Sequence, residues 1–369
     1  MSELAFPVVR IKGDPYERGR QYGTAVPQQI QRSLHNYAQI FQHLIDWEWT
    51  AVQQHALTYI PAIQRYRPHL LEEIQGIADS VGVPLADILA TNVRTEIINT
   101  AHAQAAAREC TVFVAHADVT RNGRLLLGQN WDWKPATAES VIVLEVEGAN
   151  GLNLVTVVEA GLLAKCGFNS AGIGLTTNAM NSSLDRGEPN VPYHIILRAI
   201  LEAATLEEAY EAIVGSARAS AANYLVASQD GRSFNVEVAP GQHDHAFTQR
   251  QNEGLFVHTN HYLASELGFV DVLPLREPDT LLRHDRFYES AAQYETLDTA
   301  VLHTILADHD NHPSGICCHY TQPPHIAEQY ATIATLIMDL QTATLWLAAG
   351  NPCQAELQRR EYQSFFATA

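Results

Sequence analysis

The chain has 369 residues, 46% of them hydrophobic, enough for a sizeable core in one large α/β domain or two fused lobes. Its 23 Lys+Arg against 41 Asp+Glu give a formal charge of -18, which disfavours a general nucleic-acid-binding surface. Met1 to Gly13 contain no long apolar h-region and no uninterrupted apolar run approaches the length of a span, so the expected setting is cytoplasmic, without a membrane partner.

Residues 14–104 read mostly as helix. Asp14-Pro15-Tyr16-Glu17 is a helix start in which Asp14 caps, Pro15 fits the first turn and Glu17 completes a capping box. Gly19 and Gly23, one turn apart, permit close approach of another backbone. Further helices are predicted over 28–45, 46–57, 68–80 and 85–98. The pattern then changes. Cys110–Val119 reads as a strand, and Asn122-Gly123 is a hairpin turn. Leu125–Asn130, Ser140–Glu147, Leu152–Glu159 and Gly172–Thr177 continue as strands. Helices follow near 191–204 and 206–214, then strands at 223–228, 233–238 and 255–259, the first two joined by an Asp230-Gly231 turn. A helical stretch spans 279–306, and Thr332–Leu340 with Thr344–Ala349 form a last hairpin. Strands in adjacent runs with helical blocks between them predict antiparallel-rich sheets covered by helices, not a doubly wound parallel sheet. No G-x-G-x-x-G fingerprint lies between a strand and a helix, so nothing points to nucleotide binding.

The five cysteines, Cys110, Cys166, Cys317, Cys318 and Cys353, have the spacing of neither a disulfide scaffold nor a paired C-x-x-C zinc site. They read as free thiols, one of which can be a nucleophile. Cys110 stands where helical chain gives way to strand, after Arg108-Glu109. It can be an ordinary buried residue at a strand start. It can also attack the carbonyl of Glu109. An N-to-S acyl shift and hydrolysis would then free an α-amine on Cys110 itself, and an amine with a pKa of about 7.7–8.0 can serve as the base for its own thiol.

Other polar residues can support such a nucleophile. In Asn130-Trp131-Asp132-Trp133, strand geometry would put both tryptophans on one face and Asp132 on the other. Asp132 can orient the Cys110 amine or thiol, or cap the strand end as a turn residue. Asn260, in His258-Thr259-Asn260-His261, can donate to an oxyanion or be a neutral loop amide. Thr111 and Asn178 are candidates for the surroundings of the nucleophile, and Trp131, Trp133, Tyr193 and Tyr262 for an acyl or aromatic pocket.

The chain resembles the penicillin acyltransferase family of cysteine N-terminal-nucleophile hydrolases, which includes acyl-coenzyme A:isopenicillin N acyltransferase. The matching stretches run in order through most of the sequence: Gly13-Asp14-Pro15-Tyr16-Glu17-Arg18-Gly19-Arg20-Gln21-Tyr22-Gly23, Glu109-Cys110-Thr111, Gly128-Gln129-Asn130-Trp131-Asp132-Trp133, Gly172-Ile173-Gly174-Leu175-Thr176-Thr177-Asn178, His258-Thr259-Asn260-His261-Tyr262, and Ile337-Met338-Asp339-Leu340 followed by Gly350-Asn351-Pro352. The resemblance implies an α+β fold, a four-layer αββα sandwich of two antiparallel sheets. It implies self-cleavage between Glu109 and Cys110, giving a mostly helical small chain, 1–109, and a catalytic large chain, 110–369, that stay associated. It assigns catalysis to Cys110, Asp132 and Asn260. One feature departs from the pattern. Such enzymes usually bring an arginine from the late strand region to the nucleophile, yet no Arg or Lys occurs from Phe287 through Gln358. His319, Gln329, Thr332, Arg94 and Arg108 are the candidates to replace it.

The expected reaction is hydrolysis of an N-acyl amine or small peptide-like amide through a thioester on Cys110, with no cofactor. The alternative is N-acyl transfer with a coenzyme A thioester as co-substrate. Water is always present, whereas transfer needs a second acceptor site, so hydrolysis is preferred. A non-catalytic binding protein, the reading from another class, would show one uncut chain. Oligomeric state is open, a homo-oligomer included. Among the 17 histidines, His303, His309, His312 and His319 lie near Asp308 and Asp310, but without paired-ligand spacing; a polar surface loop is the simpler reading and no metal is expected. Cys317 and Cys318, being adjacent, would point to opposite faces of a strand and make poor nucleophiles.

Overall fold

A computed structural model describes residues 5–100, 110–148, 151–319 and 325–367. The first strand, β1 (Val8–Lys12), precedes seven helices: α1 (Pro15–Ala25), α2 (Pro27–Ile45), α3 (Trp49–Leu57), α4 (Ile60–Tyr66), α5 (Pro68–Val81), α6 (Leu85–Asn92) and α7 (Arg94–Asn99). The start of α1 is the one expected: Asp14 accepts from the Glu17 N–H at 2.9 Å, with Pro15 in the first turn. Gly19 and Gly76 let α1 and α5 touch backbone to backbone. A Cβ on Gly19 would run into the Glu73 carbonyl, and one on Gly76 into that of Tyr16. The single helix expected over 85–98 breaks at Val93, whose φ of -115° and ψ of 23° leave the helical region.

The strands that follow are β2 (Thr111–Ala115), β3 (Leu126–Trp133), β4 (Val141–Glu147), β5 (Leu154–Glu159), β6 (Cys166–Asn169) and β7 (Ile173–Ala179). Helices α8 (Tyr193–Leu201) and α9 (Leu206–Val214) lead to β8 (Ala222–Ser228), β9 (Ser233–Val238), β10 (Ala246–Gln251) and β11 (Leu255–His258). Then come α10 (Leu273–Arg276), α11 (Asp279–Ala291), α12 (Thr299–Leu306), β12 (Ala331–Asp339), β13 (Thr344–Ala349), β14 (Gln358–Glu361) and α13 (Gln363–Phe366). The helical stretch expected over 279–306 is thus two helices. The expected Asp230-Gly231 turn joins β8 to β9, with Gly231 at φ 91°.

These strands make two sheets. One has the order β1-β4-β5-β6-β7-β8-β9-β10 and the other β11-β2-β3-β12-β13-β14. Every ladder between neighbours is antiparallel except β1 with β4, where Val8–Lys12 run parallel to Val143–Glu147. The segment before residue 110 therefore lends an edge strand to the first sheet. The sheets face each other through β2 and β3 against β7 and β8. Helices α8 and α9 cover the outer face of the first sheet near β6, β7 and β8. Outside the second sheet, Phe287, Leu302, Ile305 and Leu306 of α11 and α12 pack with Phe113, Leu126, Val257 and Ile337. The fold is an α+β sandwich with helices outside two stacked sheets. Because both faces of the central strands are covered, β2, β3, β7 and β12 are buried along their whole length. Among the described residues, no helix is long and apolar enough to cross a membrane.

Candidate active site

Cys110 immediately precedes β2, an interior strand of the second sheet between β11 and β3. It is fully buried within the main apolar core, and polar side chains reach it there. The Gln129 Nε2–H donates to Cys110 Sγ at 2.9 Å and also to the Thr177 carbonyl at 3.1 Å, while Gln129 Oε1 accepts from the Thr177 N–H. Gln129 thus bridges the two sheets and holds the sulfur. The Cys110 carbonyl accepts from Asn178 Nδ2 at 3.0 Å and from Arg283 Nη1 at 3.1 Å. Its backbone has φ 69°, a left-handed conformation that a residue with a Cβ adopts only at a cost of about 1–3 kcal/mol.

Arg283 is the hub. It lies on α11, just ahead of the arginine-free window. Besides the Cys110 carbonyl it donates from Nη1 to Thr111 Oγ1 at 3.1 Å and from Nη2 to Asn260 Oδ1 at 2.9 Å, and its Nε meets Asp279 at 3.3 Å. Among the described residues, this helix thus places a positive charge against the Cys110 carbonyl. Arg94 is fully buried, 3.1 Å from Glu159 and 4.2 Å from the Trp133 ring. Arg108 and Glu109, with the expected cleavage bond, lie outside the described residues. A signal for Arg283 was present in Asp279-x-x-x-Arg283, a helical i,i+4 pair, but that spacing usually marks a surface ion pair.

Asn260 is fully buried. Its Nδ2 donates to the Ala179 carbonyl at 2.8 Å, and its backbone N–H to Thr280 Oγ1 at 2.8 Å. With Oδ1 fixed by Arg283, the amide has one defined orientation, and its Nδ2 carries a second N–H. Asn178 is fixed in the same way: Oδ1 accepts from Asn223 Nδ2 at 3.0 Å and lies 3.2 Å from His258 Nδ1. His258 Nε2 meets Glu237 at 2.8 Å with both side chains fully buried, and the Glu237 carboxylate also accepts the Leu263 and Ala264 N–H groups. The pKa of His261 is pushed down to about 3, first by burial and then by its neighbours His258, His284 and Arg283.

The structure brings Cys110, Thr111, Asn178 and Asn260 into one hydrogen-bonded group through Arg283. Strand β3 runs on through Trp133, so Trp131 and Trp133 do share a face, the one that carries Gln129 between the sheets. Asp132 is on the opposite face, where its Oδ1 accepts from Thr332 Oγ1 at 2.6 Å, directly across the ladder. Trp133 donates to the Tyr37 hydroxyl at 3.0 Å and lines a small pocket with Thr95, Ile98, Asn99, Ala179, Met180 and Asn181. Tyr262 stands further off. Its hydroxyl donates to the Val238 carbonyl at 2.8 Å and its ring packs with Met180, Phe247 and Phe269. Gln129 carries no such signal, because an amide inside a strand gives no hint that it points at a sulfur.

The groups available are therefore a thiol, a guanidinium on the carbonyl beside it and two immobilised asparagine amides, all buried, where such dipoles act strongly. A family model for "Acyl-coenzyme A:6-aminopenicillanic acid acyl-transferase" matches residues 119–354. A relative from Emericella nidulans, "Acyl-coenzyme A:6-aminopenicillanic-acid-acyltransferase 40 kDa form", is 30% identical over 317 residues, covering 85% of either chain. Among solved structures, a mutant of conjugated bile acid hydrolase from Clostridium perfringens is 15% identical and covers 69% of this chain and 97% of its own, with a TM-score of 0.45. Penicillin V acylase from Agrobacterium tumefaciens is 15% identical, covering 65% and 83%, with a TM-score of 0.40.

Proposed function

The chain belongs to the acyl-coenzyme A:6-aminopenicillanic acid acyl-transferase family, and from that premise we propose that it is a self-processing enzyme whose Cys110 takes the acyl group of an amide as a thioester. The observation that carries the reading is the reach of Arg283, one guanidinium joined to the Cys110 carbonyl, Thr111 Oγ1 and Asn260 Oδ1.

In maturation, Cys110 Sγ attacks the Glu109 carbonyl carbon. The C–N bond to Cys110 breaks, its nitrogen gains the thiol proton, and water hydrolyses the thioester. The left-handed φ of Cys110 supports this step, because that angle is defined by the bond that is lost, and the strain is relieved on cutting. In turnover, the freed α-amine accepts the thiol proton and Sγ bonds to the substrate carbonyl carbon. Asn260 donates to the oxyanion, and Asp132 orients the amine. The ammonium returns its proton to the leaving nitrogen as the C–N bond breaks. Water then releases the acid. Hydrolysis of an N-acyl amine is the first reading. A second, transfer of the acyl group between coenzyme A and an amine, is favoured by the family and by the name of its Emericella nidulans member.

Intact-mass analysis and N-terminal sequencing of fresh protein test the proposal. Wild type should yield a large chain that starts at Cys110, and Cys110→Ala should remain one chain without turnover. A fully active, persistently uncut wild type would remove self-processing from the mechanism. Assays of N-acyl amines with and without coenzyme A thioesters then separate hydrolysis from transfer.

A further inference from the structure

Four side chains remote from these roles converge near the surface. His309, Cys317 and His319 come from the connection between α12 and β12, and Cys353 from the loop after β13. One ligand atom from each lies within 4.8 Å of every other. His309 Nε2 and His319 Nε2 are 2.9 Å apart, the two sulfurs 3.6 Å, and each sulfur 3.4 Å from His319 Nε2. Around a tetrahedral zinc with bonds of about 2.3 Å to sulfur and about 2.0–2.1 Å to nitrogen, the ligand atoms would be about 3.3–3.8 Å apart. The sulfur–sulfur separation and the two from His319 to sulfur fall in that range, the nitrogen pair is closer, and the separations from His309 to the sulfurs stay within 4.8 Å.

Hydrogen bonding alone does not account for the arrangement. His319 Nε2 has three polar atoms within 3.4 Å, yet a neutral ring nitrogen offers either one N–H or one lone pair. A cation at the centre would use the lone pairs of all four groups together. A disulfide needs a bond of about 2.05 Å, and these thiols are free. Cys317 Sγ also accepts from Asn351 Nδ2 at 3.5 Å and from the Cys353 N–H, the outer contacts that fix a thiolate ligand.

We propose that His309, Cys317, His319 and Cys353 bind one zinc ion at a structural site. Four protein ligands leave no open position, so the ion takes no part in catalysis. What it fixes is the chain beside the active-site strand. Cys318, between two of the ligands, donates its N–H to Thr332 Oγ1 at 3.0 Å and accepts the Thr332 N–H at 2.9 Å, and that threonine hydroxyl donates to Asp132. The Ile316 carbonyl accepts from Asn130 on β3. The spacing His309-x7-Cys317-x-His319 with a partner at 353 lacks the paired short intervals of familiar zinc motifs, so the sequence reads as a polar loop.

Elemental analysis of the full chain, purified without a histidine tag or chelator, tests the site. About one zinc per chain is expected in wild type. Cys353→Ser and His309→Ala, both at exposed positions, should lower it about tenfold or more. Cys318→Ser and His312→Ala should retain it, as should Cys110→Ala, which separates this proposal from the catalytic one. Cobalt added to chelator-stripped wild type should give the intense visible bands and sulfur charge-transfer absorption of a tetrahedral thiolate site. Wild type that takes up neither zinc nor cobalt, a Cys317–Cys353 disulfide in the fresh protein's peptide map, or zinc unchanged in both ligand variants would overturn it.

Discussion

Replacing Arg283 with lysine keeps a positive charge beside Asp279 and removes the planar fork. The guanidinium serves the Cys110 carbonyl, Thr111 Oγ1 and Asn260 Oδ1 at 3.1, 3.1 and 2.9 Å. An ammonium on a flexible stem can replace one of these contacts at most without moving the backbone. Hydrogen bonds to a charged group are worth about 1.5–3 kcal/mol each, so losing two removes roughly 3 kcal/mol or more. Much of that falls on Asn260, whose amide would lose its fixed orientation. Loss of a single oxyanion donor costs about 2.7–4 kcal/mol in the barrier, so Arg283→Lys should lower kcat/KM by about 100-fold. It should slow the appearance of the Cys110-initiated chain as well. Turnover of an N-acyl amine and time-resolved intact mass read the two effects separately. Wild-type rates of both in a folded Arg283→Lys protein would refute the central place given to this residue.

Gly19→Ala should destabilise the fold by about 1–3 kcal/mol in urea unfolding, because the new methyl meets the Glu73 carbonyl and α1 must move off α5; an unchanged midpoint would deny the close helix contact. The pKa of His261 is held near 3 in the folded state against about 6.5 when unfolded, so its contribution to stability is complete above about pH 6.5 and is lost as pH falls toward 3. His261→Asn should remove on the order of 4 kcal/mol of that pH dependence, read as unfolding free energy across the window; the same slope in both proteins would contradict the buried neutral imidazole.

The sequence exposed those parts of the fold that local chemistry dictates. The Asp14 cap, the Gly19 contact and the Asp230-Gly231 hairpin are decided within a few residues or by steric exclusion. The edge strands β10 and β14 were not legible, because β14 is Gln-Arg-Arg-Glu and β10 is half exposed, so neither has an apolar alternation to read. The 85–98 helix was missed as two because its apolar period continues through Val93. Within the site, Cys110 stood out by its place at the helix-to-strand switch. Asn178 and Asn260 emerged from asparagines at strand ends. Arg283 and Gln129 reach Cys110 across 173 and 19 residues of sequence respectively, and no local pattern carries such a contact.

The early segment is bound to the rest of the molecule at many places, two of them through β1 and α1. Strand β1 runs alongside β4, and Arg18 of α1 shares the buried Glu73 carboxylate with Arg198 of α8. Severing the backbone ahead of Cys110 would leave both attachments intact, yet it would change the molecularity of folding. The uncut polypeptide reassembles by a first-order process at any dilution. A nicked one must recruit its own missing edge from solution, so its renaturation would become second order and its melting temperature would rise with protein concentration.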